Sequence, residues 1–350
     1  MRVHQLIAAA APGDAVTGQA LAWQGILRGW GADGEIVAEH VHPQLEGAVR
    51  RLGARGGDLD GADALVLHYS VWSRAVEAAL SSGAPLGVCY HNVTPGSLIR
   101  AYNPGLADAC DRARAELPRL RGRAAVLVAD SGFNALELRQ AGVGEARVVP
   151  LILDVPPLPA PERPAGSPPS VVTVGRVVPN KRIDDVVRVF ALYRRHRAPG
   201  ATLTLVGSDG GFEGYRGALE DLVGRIGVGG VRFAGRISDA ERDGVYARAD
   251  AYLCMSEHEG FCAPLVEALA RGVPVVARRA AAVPETLGGA GLLVNDPDVL
   301  PLAAEALHEV VSSQETRAGL AAAAARRHAQ LRPEAIVPGL RSALAPLLGA

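Results

Sequence analysis

The stretch VPPLPAPERPAGSPPS, residues 155–170, divides the chain into two parts of the same kind. Proline this dense builds neither helix nor central strand, and no hydrophobic period runs through it, so it reads as a hinge. On either side of it, short apolar β-branched runs alternate with amphipathic stretches, the pattern of parallel α/β architecture.

N-terminal to the hinge, strands are expected at residues 3–8, 35–38, 62–68, 85–90, 125–129 and 146–151. Leu21, Trp23, Ile26, Leu27 and Trp30 fall near one helix face before Gly31. Residues 133–142 read as a further helix with Ser131 as its N-cap. C-terminal to the hinge, strands are expected at 170–177, 202–206, 231–234, 251–256, 273–277 and 291–294, and helices at 184–195, 215–226, 239–249 and 262–271. Beyond residue 297 the pattern is helix alone, at 299–312, 315–330 and 333–348. The layout is a domain at 1–154, a hinge at 155–170, a second domain at 171–330, and a terminal helix at 331–350 that is free to pack back on the first domain.

Length and composition agree with this. At roughly 100–200 residues per domain, 350 residues make two. Hydrophobic residues are 49% and charged residues 21%, the balance of a soluble globular protein. Lys+Arg 36 against Asp+Glu 37 gives a net charge of −1, which argues against a dedicated nucleic-acid binder. No run of 18 apolar residues is present, so no membrane span is expected. The opening MRVHQLIAAAAPGDA reads as a first strand entering a loop, because His4 and Gln5 interrupt its apolar region, and not as a signal peptide. Cys89, Cys110, Cys254 and Cys262 show neither a disulfide framework nor CxxC spacing. A reduced, cytoplasmic protein is expected.

In open parallel sheets ligands bind beyond the carboxyl ends of the strands, so the loops that follow strands carry the functional candidates, in a cleft between the two domains. SEHEGFCAPLVEAL, residues 256–269, joins a strand to a helix. Gly260 would allow close backbone approach, and the amides of the first helical turn favour negative charge. Glu259 and Glu267, eight residues apart, are bidentate acceptors suited to sugar hydroxyls. The plain alternative is two solvated acids flanking a helix start. VGRVVPNKR, residues 174–182, places Arg176 and Lys181 on one glycine-containing loop. The two cations suit a diphosphate, Arg as a planar fork and Lys as a point charge. A basic surface loop is the alternative, weakened because Lys181 is the only lysine in the chain.

Gly175-Arg176 with Lys181, then LTLVG, VRFAGRIS, the EHEGFCAPLVEAL block, GVPVVA and Val283-Pro284-Glu285, resemble the GT-B glycosyltransferases of family 4. GDAVTGQAL (13–21), YHNVTP (90–95) and SGFNALELRQAG (131–142) extend the resemblance to roughly residues 1–330. It implies two Rossmann-like parallel-sheet domains facing across a cleft, with a helical C-terminal tail. It implies retaining transfer of a sugar from a nucleotide-diphosphate donor, UDP- or GDP-linked. Arg176 and Lys181 would hold the diphosphate, beside Gly175. Glu259 would hold donor-sugar hydroxyls with the amides of Gly260, Phe261 and Cys262, at the helix start formed with Ala263 and Leu265. Glu267 would take the ribose, and Arg236 and Ile237 would lie beside the base. His91 would sit against the donor sugar, and the loop bearing Asp14, Thr17 and Gly18 would approach phosphates or acceptor.

A front-face route, with acceptor attack on the side the leaving group departs, needs no carboxylate nucleophile, so Glu259 and Glu267 are not read as a glycosidase pair. No metal or other cofactor is expected. Asp58-Leu59-Asp60 and Asp296-Pro297-Asp298 are short acidic patterns in a loop and at a helix start. His40, His42 and His68 lack ligand spacing and read as surface or packing residues. Cys262 has no base partner in sequence and reads as a small residue in a tight loop. Arg112, Arg114, Arg119, Arg121 and Arg123 form a basic cluster that reads as a solvated helix face, leaving peripheral membrane contact open. The acceptor class stays open among a polysaccharide, a lipid-linked sugar and a small metabolite. The competing readings are a sugar-nucleotide epimerase and a catalytically silent sugar-nucleotide-binding protein. Retention of Arg176, Lys181, Glu259 and Glu267 argues against the silent reading. A Rossmann dehydrogenase is excluded, because no G-x-G-x-x-G follows the first strand.

Overall fold

The computed structural model describes residues 1–53, 59–157, 166–295 and 297–349. The central residues of the hinge, 158–165, and the acids Asp58 and Asp296 lie outside them. The chain forms two compact units: Met1–Ser97 with Gly105–Leu153 and Leu331–Ala350, and Leu98–Pro104 with Asp154–Gln330.

The first unit is built on seven parallel strands. They are β1 (Val3–Ala10), β2 (Ile36–Val41), β3 (Val49–Arg51), β4 (Ala64–Tyr69), β5 (Leu86–Tyr90), β6 (Ala124–Ala129) and β7 (Arg147–Val148), in the order β3-β2-β1-β4-β5-β6-β7. Every residue of β4 and β5 is buried. That is why these strands read as largely apolar runs, with His68 the polar exception in β4: helices cover both faces of a parallel sheet. The helices are α1 (Ala15–Gly29), α2 (Arg74–Ser81), α3 (Pro104–Glu116) and α4 (Gly132–Gln140). Helix α1 begins well before the apolar face that announces it, because Asp14 caps it: its carboxylate accepts from the Thr17 N–H at 2.9 Å and from the Thr17 hydroxyl at 2.9 Å. Thr17 and Gly18 are therefore in the first turn of a helix, a correction to the loop expected there.

The second unit has six parallel strands: β8 (Ser170–Val174), β9 (Thr202–Val206), β10 (Val231–Gly235), β11 (Ala251–Cys254), β12 (Val275–Arg278) and β13 (Leu292–Val294), in the order β10-β9-β8-β11-β12-β13. Its helices are α5 (Ile183–His196), α6 (Glu213–Ile226), α7 (Asp239–Tyr246), α8 (Ala263–Ala270), α9 (Val283–Leu287), α10 (Val299–Ser312) and α11 (Gln314–Gln330). A capping box of Ser238 and Glu241 starts α7. The strand expected to reach residue 177 stops at Val174, because Gly175 turns the backbone to φ +137°. Opposite it, a Cβ on Gly207 (φ +145°) would lie 1.9 Å from the Gly175 carbonyl oxygen, so the ends of β8 and β9 meet because Gly207 lacks a side chain.

The last helix, α12 (Pro333–Leu348), buries Ile336, Leu340, Ala343, Leu344 and Leu347 in the first unit's core beside Trp23, Val126 and Val128. Each of the isoleucine and leucine side chains contributes roughly 1.5–3 kcal/mol when fully buried. Gly87 in β5 lets the helix settle, since a Cβ there would stand 3.1 Å from Leu347 Cδ2. Both sheets reverse strand order once, at β1/β4 and at β8/β11. Those reversals, at the carboxyl ends, are where such sheets leave room for a ligand.

Candidate functional site

In the second unit, the loops that leave β8 and β11 open side by side at the reversal. The β8 loop makes one short turn, Pro179–Lys181, ended by Arg182 in the left-handed region at φ +48° before α5 begins. The two loops are bound to each other. The Glu257 N–H donates to the Asn180 carbonyl at 2.9 Å, and Asn180 Nδ2 donates to the His258 carbonyl at 3.1 Å. Between them Lys181 Nζ sits 2.5 Å from Glu259 Oε1, which also accepts from the Ser256 hydroxyl at 2.8 Å. Both side chains are largely covered, at 16% and 11% exposure. Burial disfavours the ammonium, yet the Glu259 carboxylate more than offsets that and holds Lys181 above the ordinary lysine range.

Arg176 does not join this pair. It is exposed on the same loop after β8, and its side chain reaches the loop after β9, with Nη2 3.4 Å from the Gly210 carbonyl and its guanidinium 5.8 Å from the centre of the Phe212 ring. Gly175 lies against the Lys181 side chain: a Cβ there would be 3.3 Å from Lys181 Cε.

In the β11 loop, the left-handed residue is Cys262, at φ +73°, which caps α8 without a side-chain hydrogen bond. Gly260 is half-buried in the turn before it. Phe261 is buried, and its carbonyl accepts from the Thr286 hydroxyl. Ala263 begins α8 half-buried. Leu265 is fully buried in the core and its N–H donates to the Cys262 carbonyl at 3.0 Å, so it serves packing and not ligand contact. The free Cys262 thiol, hydrogen-bonded to the Cys254 thiol and buried, is pushed well up and stays protonated.

Glu267 lies further along α8, where it accepts from the Tyr246 hydroxyl at 3.0 Å and has Arg242 Nε at 3.6 Å. Burial raises its pKa in spite of Arg242 and Tyr246. Tyr246 and Arg242 are absent from the sequence reading; they belong to α7, which nothing in the spacing of the β11 loop points to. After β10, Arg236 is exposed, and Ile237 packs against the core cluster that contains Tyr246, Cys262 and Leu265.

In the first unit, Gly13 (φ +72°) precedes the Asp14 cap, Thr17 is buried, and Gly18 is exposed with open space where a side chain would go. The carboxylate of Asp14 already occupies the helix N-terminus, so that end of α1 offers little to a phosphate. His91 follows β5. Its side chain is 3% exposed although the residue as a whole is half-buried, so its main chain is the part that reaches the surface. Both ring nitrogens are engaged: Nδ1 with Asp130 Oδ2 at 2.7 Å and Nε2 with His68 Nδ1 at 2.8 Å. His68 Nε2 in turn meets Gln5 Oε1 at 2.8 Å. His68, read from sequence as a surface or packing residue, is buried and hydrogen-bonded to His91. His40 and His42 are exposed. Among the described residues, His68, Cys89 and His91 form one group whose potential ligand atoms all lie within 4.8 Å of each other.

The arginine cluster is tied down within its own unit. Arg112 pairs with Glu116 at 2.8 Å, Arg114 with Glu137 at 2.8 Å, and Arg119 with Glu77 at 2.8 Å and Glu116 at 2.9 Å. Arg121 donates to the Gly142 carbonyl and Arg123 to the carbonyls of Ala79, Ser82 and Ala84. No helix is long and apolar enough to cross a membrane, among the described residues.

Residues 168–312 match the family described as Glycosyl transferases group 1. The chain is 29% identical over 142 residues to the O-antigen chain mannosyltransferase B of Escherichia coli, covering 39% of this chain and 35% of that protein. It is 25% identical over 241 residues to the GDP-mannose:cellobiosyl-diphosphopolyprenol alpha-mannosyltransferase of Komagataeibacter xylinus, covering 67% and 54%. The chain thus spans between a third and about half of the length of these relatives. Among solved structures, Anabaena HepE in complex with UDP and glucose superposes with a TM-score of 0.78 at 19% identity, over 99% of each chain.

Proposed function

We propose that the chain, whose residues 168–312 match the family described as Glycosyl transferases group 1 and whose fold is GT-B, transfers a sugar from a nucleoside-diphosphate donor to a hydroxyl acceptor with retention. The observation that carries this reading is the Lys181–Glu259 pair at the strand-order reversal of the second sheet.

A buried cation and a carboxylate on adjoining loops supply what the reaction asks for. In the reaction the C1–O bond to the diphosphate breaks and the acceptor oxygen bonds to C1. The acceptor proton passes to the departing phosphate oxygen on the same face. Negative charge grows on the diphosphate, where Lys181, with Arg176 on the same loop, stabilises it. Glu259 accepts from donor-sugar hydroxyls, and Glu267, steadied by Tyr246, accepts from the ribose. No metal is needed for this charge balance. The donor is a UDP- or GDP-sugar, and mannosyl transfer is the first to test, since two relatives carry that activity in their names. Asp14, already a hydrogen-bond acceptor at the α1 cap, suits a hydroxyl acceptor better than a phosphate.

The test is thermal unfolding of the purified chain with UDP, GDP, ADP and TDP, with and without magnesium. A ligand at about 100 times its dissociation constant stabilises by roughly 2.7 kcal/mol. One diphosphate is expected to raise the midpoint without metal, and Lys181→Ala to abolish the rise. Transfer from UDP- and GDP-mannose then identifies the donor. If no diphosphate moves the midpoint, the donor-site reading fails.

A further inference from the structure

The four buried groups Gln5, His68, His91 and Asp130 form one hydrogen-bonded line across neighbouring strands β1, β4 and β5 and the end of β6. The Gln5 end of the line is fixed as an acceptor. Gln5 Nε2 donates to the Ala20 carbonyl at 2.9 Å, so Gln5 Oε1 is the atom facing His68. Turning the amide over would set two carbonyl oxygens against each other. At the other end, Asp130 Oδ2 faces His91 while Oδ1 has the Cys89 thiol at 3.7 Å.

Three hydrogen bonds need three protons, and two neutral imidazoles carry two. With only two, the ring N–H groups would go to Gln5 and Asp130, and the lone pairs of His68 Nδ1 and His91 Nε2 would face each other at 2.8 Å. Something electron-poor belongs between them. A divalent ion held by both nitrogens at about 2.0–2.1 Å in tetrahedral geometry would push them well beyond that separation. A proton fits it, and the rings lie within 4° of parallel, as a straight N–H···N bond prefers.

We propose that this line stores one proton beyond those of two neutral imidazoles, and that the stored proton makes His68 a positioning residue for His91 in the transfer reaction, a role that rests on the function proposed above. The proton lies on the His91–Asp130 end. His68 is the poorer place for a charge, because burial and the neighbouring His91 both lower its pKa. The surroundings add no rival charge: Cys89, buried beside Asp130, is pushed well up and stays a thiol, and Trp23 meets His68 by a ring edge at 5.2 Å. Among the described residues the ion pair of Asp130 is with His91. Loss of the proton sets the two lone pairs against each other, drives the rings apart, and shifts the exposed main chain of His91 at the end of β5.

The experiment is nitrogen-detected NMR of the histidine rings in the full chain, free of nucleotide, with His68→Gln and His91→Gln used for assignment. At neutral pH the expected result is protonation on both His91 nitrogens, or the third proton on Asp130 with one N–H on each ring directed along the line. Facing unprotonated nitrogens on His68 and His91, or a stoichiometric metal in the purified protein by elemental analysis, would overturn the proposal. The positioning role is read separately in the pH profile of transfer. His68→Leu removes the acceptor for His91 and is expected to lower kcat/KM on the order of 10- to 100-fold and move the alkaline limb to lower pH. His68→Gln, which keeps one donor and one acceptor in line, is expected to recover most of that loss. Equal losses in both variants with an unmoved pH profile would reduce His68 to packing. Because the NMR readout involves no sugar nucleotide, its failure and the failure of the transfer reading are told apart.

Discussion

Lys181 and Glu259, 78 residues apart in sequence, form a 2.5 Å ion pair that joins the loops leaving β8 and β11. The pair means that the one lysine is neutralised before any ligand arrives. A diphosphate must share that ammonium with Glu259 or take it over. Glu259→Gln is therefore expected to lower the unfolding midpoint of the free protein, by leaving a covered cation unpaired. It is also expected to enlarge the rise that UDP or GDP produces, while transfer falls by on the order of 2–4 kcal/mol in barrier terms. Calorimetry with and without nucleotide checks both; an unchanged free midpoint with a smaller ligand shift refutes the account.

Lys181→Arg separates charge from shape. Gly175 sits against the lysine stem, and a planar guanidinium fork would carry the same charge in a different shape from the compact ammonium that pairs with Glu259. The substitution is expected to keep the net charge yet lose most nucleotide binding. Isothermal titration decides it, and binding at the parent affinity would show that only charge matters there.

Glu267 links stability to pH. Its folded pKa lies above the ordinary glutamate value, so the folded state holds this proton more tightly than the unfolded one. Its contribution is fully present below the ordinary glutamate pKa and is lost as pH rises through the raised folded value. Glu267→Gln, with Tyr246 still able to donate to the amide oxygen, is expected to flatten that part of the stability profile without unfolding the protein. Nucleotide binding is expected to weaken for UDP and GDP and to change little for their 2′,3′-dideoxy forms. Equal weakening for both forms would remove Glu267 from ribose recognition.

Gly18 gives a cleaner division between fold and function. It lies inside α1 with nothing within 4 Å of a new Cβ. Gly18→Ala is expected to stabilise the first unit by about 0.5–1 kcal/mol. If the exposed start of α1 receives the acceptor, the same variant raises KM for acceptor and leaves nucleotide binding alone. A stabilised enzyme with unaltered acceptor KM would move the acceptor elsewhere.

Leu344 tests the terminal helix. It is buried in the core of the first unit together with Leu340 and Leu347. Leu344→Ala is expected to cost about 2–5 kcal/mol, measured by denaturant unfolding. A cost below 1 kcal/mol would mean that α12 contributes little to that core.

The second unit was legible in sequence because its informative residues are close together along the chain. Glycine, arginine and lysine sit on one loop, and two glutamates sit on one strand–loop–helix unit. What spacing could not convey is conformation and side-chain direction. The left-handed position fell on Cys262, a residue type that seldom adopts it, and Arg176 turned away from Lys181 to the β9 loop. The His68–His91–Asp130 line was illegible for a different reason. Its members are 23 and 39 residues apart, separations set by helices and loops of arbitrary length, and only the strand order β4-β5-β6 brings them together. The short edge strand β3 carries two arginines in three residues and shows no apolar run, and α2 has only eight residues to show its Ala75–Val76–Ala79 face.

The packing of α12 reaches beyond stability to the order in which the protein is made. The core around Trp23 and Val126 lacks Ile336, Leu340 and Leu344 until residues 331–349 have been synthesised, and by then the whole of the second unit has already been synthesised. The unit that comes second in sequence is thus the first able to complete its core, a reversal of the usual N-terminal-first order of synthesis. Until then the first unit waits with an open apolar seam, and chaperones have their longest opportunity at the beginning of the chain.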